Sequence, residues 1–124
     1  MLTGEVDEGL RVLETTIQTL EALGARGLLA RRRMFYAEAL LSANDPDAAA
    51  QYLDEHWPSI EQYASADAKA EAHVVRARIK AAQGDEAGAA EDAKVALEFY
   101  HRQNVHTALA KEAEELAAAE ATDE

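Results

Sequence analysis

The spacing that comes closest to chemistry in this chain is Glu98-Phe99-Tyr100-His101. An E-x-x-H puts a carboxylate and an imidazole on one helix face, as the ligand sets of di-iron bundles require. Such a centre also needs a second E-x-x-H and two further glutamates on neighbouring helices, and the sequence has no second copy. The four histidines, His56, His73, His101 and His106, never form H-x-x-x-H, so each reads as a surface or rim residue. The absence of cysteine excludes thiolate metal sites and disulfides. No Ser, His and acid constellation is suggested, and there is no glycine-rich phosphate cradle. The chain therefore reads as a non-enzyme without metal or cofactor, and a helical metalloenzyme ranks last among the alternatives.

Charge narrows the classes further. Arg31-Arg32-Arg33 is the one basic run, but successive helical residues fan out by about 100°. The three cannot form one patch; they read as a solvated face with one arginine turned to a groove. A net charge of −12 argues against direct nucleic-acid binding, which relies on clustered Lys and Arg. It serves solubility alone, or fits a partner that, if charged, carries some positive surface. Adjacent acids at Asp54-Glu55 and Glu114-Glu115 point in different directions and read as solvated. No apolar run is long enough for a membrane span, and no basic-then-apolar leader opens the sequence. The expectation is a cytoplasmic protein without membrane contact.

These residues must be positioned by something, and the sequence supplies it as a repeat. Ala82-Gln83-Gly84-Asp85-Glu86-Ala87-Gly88-Ala89 has a copy forty residues earlier, Ser42-Ala43-Asn44-Asp45-Pro46-Asp47-Ala48-Ala49. A third stands forty before that, at Leu2-Thr3-Gly4-Glu5-Val6-Asp7-Glu8-Gly9. Each reads as a helix end, a Gly or Asn able to take positive φ, an acidic cap and a new helix. Twenty residues on, Gly24, Ala64 and Asn104 form a second punctuating column, with Ser65 and Asp67 able to cap after Ala64. The chain thus turns about every twenty residues, and six helices are predicted.

They are placed near Val6 to Leu23, Gly27 to Ala43, Asp45 onward, Asp67 to Gln83, Glu86 to Gln103 and His106 to Ala119. Leu10, Leu13, Ile17 and Leu20 make one apolar stripe; Ala49, Leu53, Trp57 and Ile60 make another. Pro58 is expected to kink or end the third helix near Trp57. Ala30, Ala70 and Ala110 align, as do Ala37, Ala77 and Ala117, so small side chains recur where helices must approach closely. One helix pair could not bury these stripes, whereas a stack can. The aromatics Phe35, Tyr36, Trp57, Phe99 and Tyr100 read mainly as packing. The expected fold is all-α, a right-handed alpha-alpha superhelix of three helical hairpins with six antiparallel helices. Residues 1–120 form a single domain of units 1–40, 41–80 and 81–120, and residues 121–124 are an acidic tail.

At Gly84-Asp85 followed by Ala89, and at Asn44-Asp45 followed by Ala49, the sequence resembles the tetratricopeptide repeat (TPR) family. Its forty-residue units look like the helical arrays of bacterial maltose-activator-type regulators and of some signalling cyclases. They lack the family's usual Trp and Gly in the first helix and its closing Pro. The resemblance implies protein or peptide binding on a concave side. The family's groove-facing positions fall at Arg31, Met34, Glu38 and Leu41, then Glu71, Val74 and Arg78, then Lys111 and Glu114. Charge alternates down these columns, which suits either ion pairs between neighbours or a charged groove. The expected function is a scaffold or adaptor module, part of a larger bacterial regulatory protein. The alternative is a regulatory sensor domain that holds a small ligand or effector domain. Because the Gly-Asp turn normally lies between a unit's two helices, helix 1 reads as a second helix lacking its first. A chain cut from a longer array, or a homodimer through helix 1, is the corresponding expectation.

Overall fold

The computed structural model describes residues 4–103 and 107–122. It is all-α: α1 (Gly4–Leu23), α2 (Arg26–Ser42), α3 (Pro46–Tyr63), α4 (Ala66–Ala82), α5 (Glu86–Arg102) and α6 (Ala108–Thr122). Among the described residues there is no strand. The helices stop where backbone chemistry stops them. Gly24, Asn44 and Gly84 take φ of 69°, 64° and 85°, the left-handed conformation that side chains other than Gly and Asn resist. Two positions of the same columns behave otherwise. Gly4 is the first residue of α1, and Ala64 is extended at ψ 149°. Asn104 lies outside the described residues.

Acidic caps start the next helices. Asp45 accepts from the Ala48 N–H at 3.2 Å, with Pro46 at the first helical position, and Asp85 accepts from the Gly88 N–H at 2.9 Å. Thr107 does the same for α6, accepting from Ala110 at 3.2 Å. Asp85→Ala should cost about 1 kcal/mol in a denaturant melt; a loss below the error of the measurement would show that the cap contributes nothing.

The early end expected at Pro58 does not occur, since α3 runs on to Tyr63. Proline removes one ladder hydrogen bond, but the following turn carries Ile60, 1 % exposed, whose carbonyl also accepts from Ala64 at 3.0 Å. Apolar burial of Ile60 holds the helix through the break.

The chain divides into two compact units, Met1–Ser65 and Ala66–Glu124, so the division falls within the middle forty-residue segment. In the first, α1 and α3 each pack against α2 but not against each other. The buried positions include Ile17, Ala30, Met34, Ala37, Ala49, Leu53 and Ile60. In the second, α5 packs against α4 and α6, and α4 also touches α6. Its core is built of small residues around a few large ones: Ala70, Val74, Ala96 and Tyr100 with Ala110 and Ala113, then Ala77, Ala89 and Ala93 under Leu116. The alanine columns read from the sequence are therefore interior, Ala30, Ala70 and Ala110 being only 2 %, 3 % and 4 % exposed.

Candidate functional site

Because α1 and α3 stay apart, a cleft opens between them over α2, with a volume of about 260 Å³. Each helix contributes side chains at helical spacing. From α1 come Glu14, Gln18 and Glu21 with Ile17; from α2, Arg33 and Tyr36; from α3, Tyr52 and His56. The three rings touch in sequence as tilted pairs, with centroids 4.6 Å apart and planes at 36° from Tyr36 to Tyr52, and 4.6 Å and 54° from Tyr52 to His56. Arg33 Nη2 donates to Glu21 at 3.2 Å across the cleft, while its buried Nε has no acceptor.

The cleft tunes its own titratable groups. Burial, reinforced by the Arg33 guanidinium, holds His56 below its ordinary value of 6.5, so the ring is neutral at neutral pH. Burial pushes the Tyr52 phenol up to about 12, and burial with the Glu14 charge raises Tyr36. Both phenols stay protonated, leaving two carboxylates, one guanidinium and three neutral π-faces. Such a set is suited to a cation lying on the rings beside a carboxylate.

The same register in the second unit is filled differently. Adding forty to Arg33, Tyr36 and Tyr52 gives His73, Arg76 and Asp92. There Asp92, 3 % exposed, receives His73 Nδ1 at 2.9 Å, Arg76 Nη2 at 2.8 Å and Lys80 Nζ at 2.7 Å. Burial alone would raise the Asp92 carboxyl; the hydrogen bonds from His73, Arg76 and Lys80 outweigh it and hold the group well below the carboxylate range. One position is thus an open aromatic cleft in the first unit and a closed ionic cluster in the second.

The residues expected to line a groove lie in several environments. Met34 and Val74 are core residues, 1 % and 0 % exposed, and present no surface to a partner, because they sit on the packed stripes of α2 and α4. Arg31 and Arg32 both lie over the Phe35 ring, at 5.6 and 5.5 Å, while Arg33 enters the cleft. Glu38, Leu41 and Glu71 are half-buried. Arg78 forks onto Glu112 of α6 at 2.5 and 2.6 Å, an ion pair between neighbouring helices. Lys111 and Glu114 are exposed on α6, and Glu114 stands 4.0 Å from His101. His56 and His73 are half-buried at cleft rims, one against the Tyr52 ring and the other in the Asp92 cluster. His106 lies outside the described residues. Glu98 and His101 are exposed, and no group of three candidate metal ligands is found among the described residues.

Sequence reasoning missed the cleft because its members are spread over three helices and its rings read as core. The available signal was the column pair Arg33/His73 and Tyr52/Asp92, where polar or aromatic groups recur against the apolar pattern. Compared with family models, characterised proteins and solved structures, the chain matches none. No described helix is long and apolar enough to cross a membrane. The class that fold and site define is an all-helical protein with an aromatic, acid-rimmed cleft.

Proposed function

We propose that this chain is a TPR-like binding module that takes a basic segment of another protein, seating one lysine or arginine in the cleft of α1, α2 and α3. The observation that carries this reading is the row of Tyr36, Tyr52 and His56 rings beside Glu14 and Glu21. A guest cation on those faces gains cation–π attraction and an ion pair with Glu14. Glu21 already answers Arg33, so the guest adds charge where the rim is negative. The overall charge of −12 favours encounter with a basic partner.

The test is calorimetric titration with tetraarginine and tetralysine peptides against tetraglutamate. The basic peptides should bind, and Tyr52→Leu or Glu14→Lys should each weaken them about tenfold. Glu91→Lys, on an exposed face of α5, makes the same change in net charge and should leave affinity nearly intact. Equal losses from Glu14→Lys and Glu91→Lys would reduce the effect to net charge and defeat the proposal. Affinity should also fall as pH drops through the depressed His56 value, because the imidazolium repels the guest. In His56→Phe that limb should flatten.

A further inference from the structure

A second cleft lies wholly within the other compact unit, between α4 and α5, with a volume of about 220 Å³. Two facing stripes build it. Ala66, Lys69, Ala70 and His73 recur at three- and four-residue spacing along α4; Val95, Phe99 and Arg102 do so along α5. The two alanines keep the floor low, and Phe99 with Val95 gives it an apolar wall. Val95 is 49 % exposed, one of the few large apolar side chains left open to solvent.

The charge of this cleft runs against the whole molecule. Acidic residues outnumber lysine and arginine 24 to 12 in the chain, yet the lining holds Lys69, His73 and Arg102 and no acid. Neither Lys69 nor Arg102 has an ion pair among the described residues. His73 is oriented by Asp92, which accepts from Nδ1 at 2.9 Å; the imidazole is thereby fixed in place beside the two cations. Asp92 is itself only 3 % exposed and shared among three basic groups, so it adds little negative field outside.

We propose that this cleft binds a small carboxylate on an apolar or aromatic stem, with the stem against Phe99 and Val95 and the carboxylate between Lys69 and Arg102. The volume suits a single ring or short chain rather than a helix. A free organic acid and the C-terminal residue of a peptide share this chemistry. The site is independent of the reading given for the first unit.

The experiment is backbone-amide NMR of the full chain titrated with phenylbutyrate, with its amide, with inorganic phosphate, and with the peptide Ala-Ala-Ala-Phe as free acid and as amide. Saturable shifts at Lys69, His73, Val95, Phe99 and Arg102 with phenylbutyrate, and not with either amide or with phosphate, are expected. Binding of the peptide acid as well would place the source at a chain terminus; binding of phenylbutyrate alone would place it in a free metabolite. Val95→Asp, at an exposed position, should abolish the shifts, and Lys69→Gln or Arg102→Gln should weaken binding about fivefold to tenfold. Equal binding of the amide or of phosphate, shifts centred elsewhere, unaltered binding by Val95→Asp, or no shift at millimolar ligand would each overturn the proposal.

Discussion

Asp92→Asn should lower the melting temperature of this protein more than any other single polar substitution. The carboxylate is buried and answers His73, Arg76 and Lys80 together. The amide leaves Arg76 and Lys80 without their shared counter-charge and removes the acceptor that orients His73. Breaking a buried ion pair from one side costs about 3–5 kcal/mol, or roughly 10–20 °C for a domain of this size. The pH dependence has a definite sign. A carboxyl whose folded value is depressed stabilises the fold fully above its unfolded value of about 3.8. That contribution is lost as pH falls through 3.8 toward the folded value. Melting temperatures of the native chain should therefore fall steeply below about pH 4, and Asp92→Asn should lack that part of the slope. A variant melting within about two degrees of the native chain would show that the cluster is a solvated convenience.

The Asp92 cluster also marks the limit of what the residue pattern could tell. Turns were legible because positive φ selects Gly and Asn, so Gly24, Asn44 and Gly84 announced themselves. Caps were legible for a similar reason: Asp45 and Asp85 act within three residues of themselves. Apolar stripes such as Leu53 with Ile60 follow from a period fixed by backbone geometry. Gly4 misled because a column predicts a conformation only where the chain must turn, and here α1 has already begun. At Pro58 the early end did not follow, because a local penalty was weighed without the burial of Ile60 that offsets it. The clefts were the least legible part. Tyr36 meets Tyr52 across two helices, and no spacing within either helix reports which face of one will meet which face of the other. Asp92, next to Glu91, gives no sign in the sequence of the three partners from α4 that converge on it. Small side chains recurring where helices approach were read; polar and aromatic partnerships between helices were not.

The second large effect should come from adding atoms rather than removing charge. Ala77 is 0 % exposed and packs with Ala89 and Ala93 of α5 beneath Leu116 and Ala117 of α6. There α4 meets α5 through side chains of one carbon, so the distance between those two axes is set by methyl groups. Ala77→Leu places three further carbons into that junction, where Leu116 alone of the packed neighbours is larger than alanine. Overpacking usually costs about 1–3 kcal/mol, and this junction should reach the upper end because backbone rather than flexible side chain must yield. Ala87→Leu lies in the same unit on an exposed face and should change stability by less than about 0.5 kcal/mol. Leucine has a helix propensity close to that of alanine, so the difference between the two variants isolates packing from secondary-structure preference. Paired thermal and urea melts would read it. Should Ala77→Leu melt with the native chain, the recurrent alanines would not set the helix spacing, and the columns at 30, 37, 70, 77, 110 and 117 would reflect composition instead of contact.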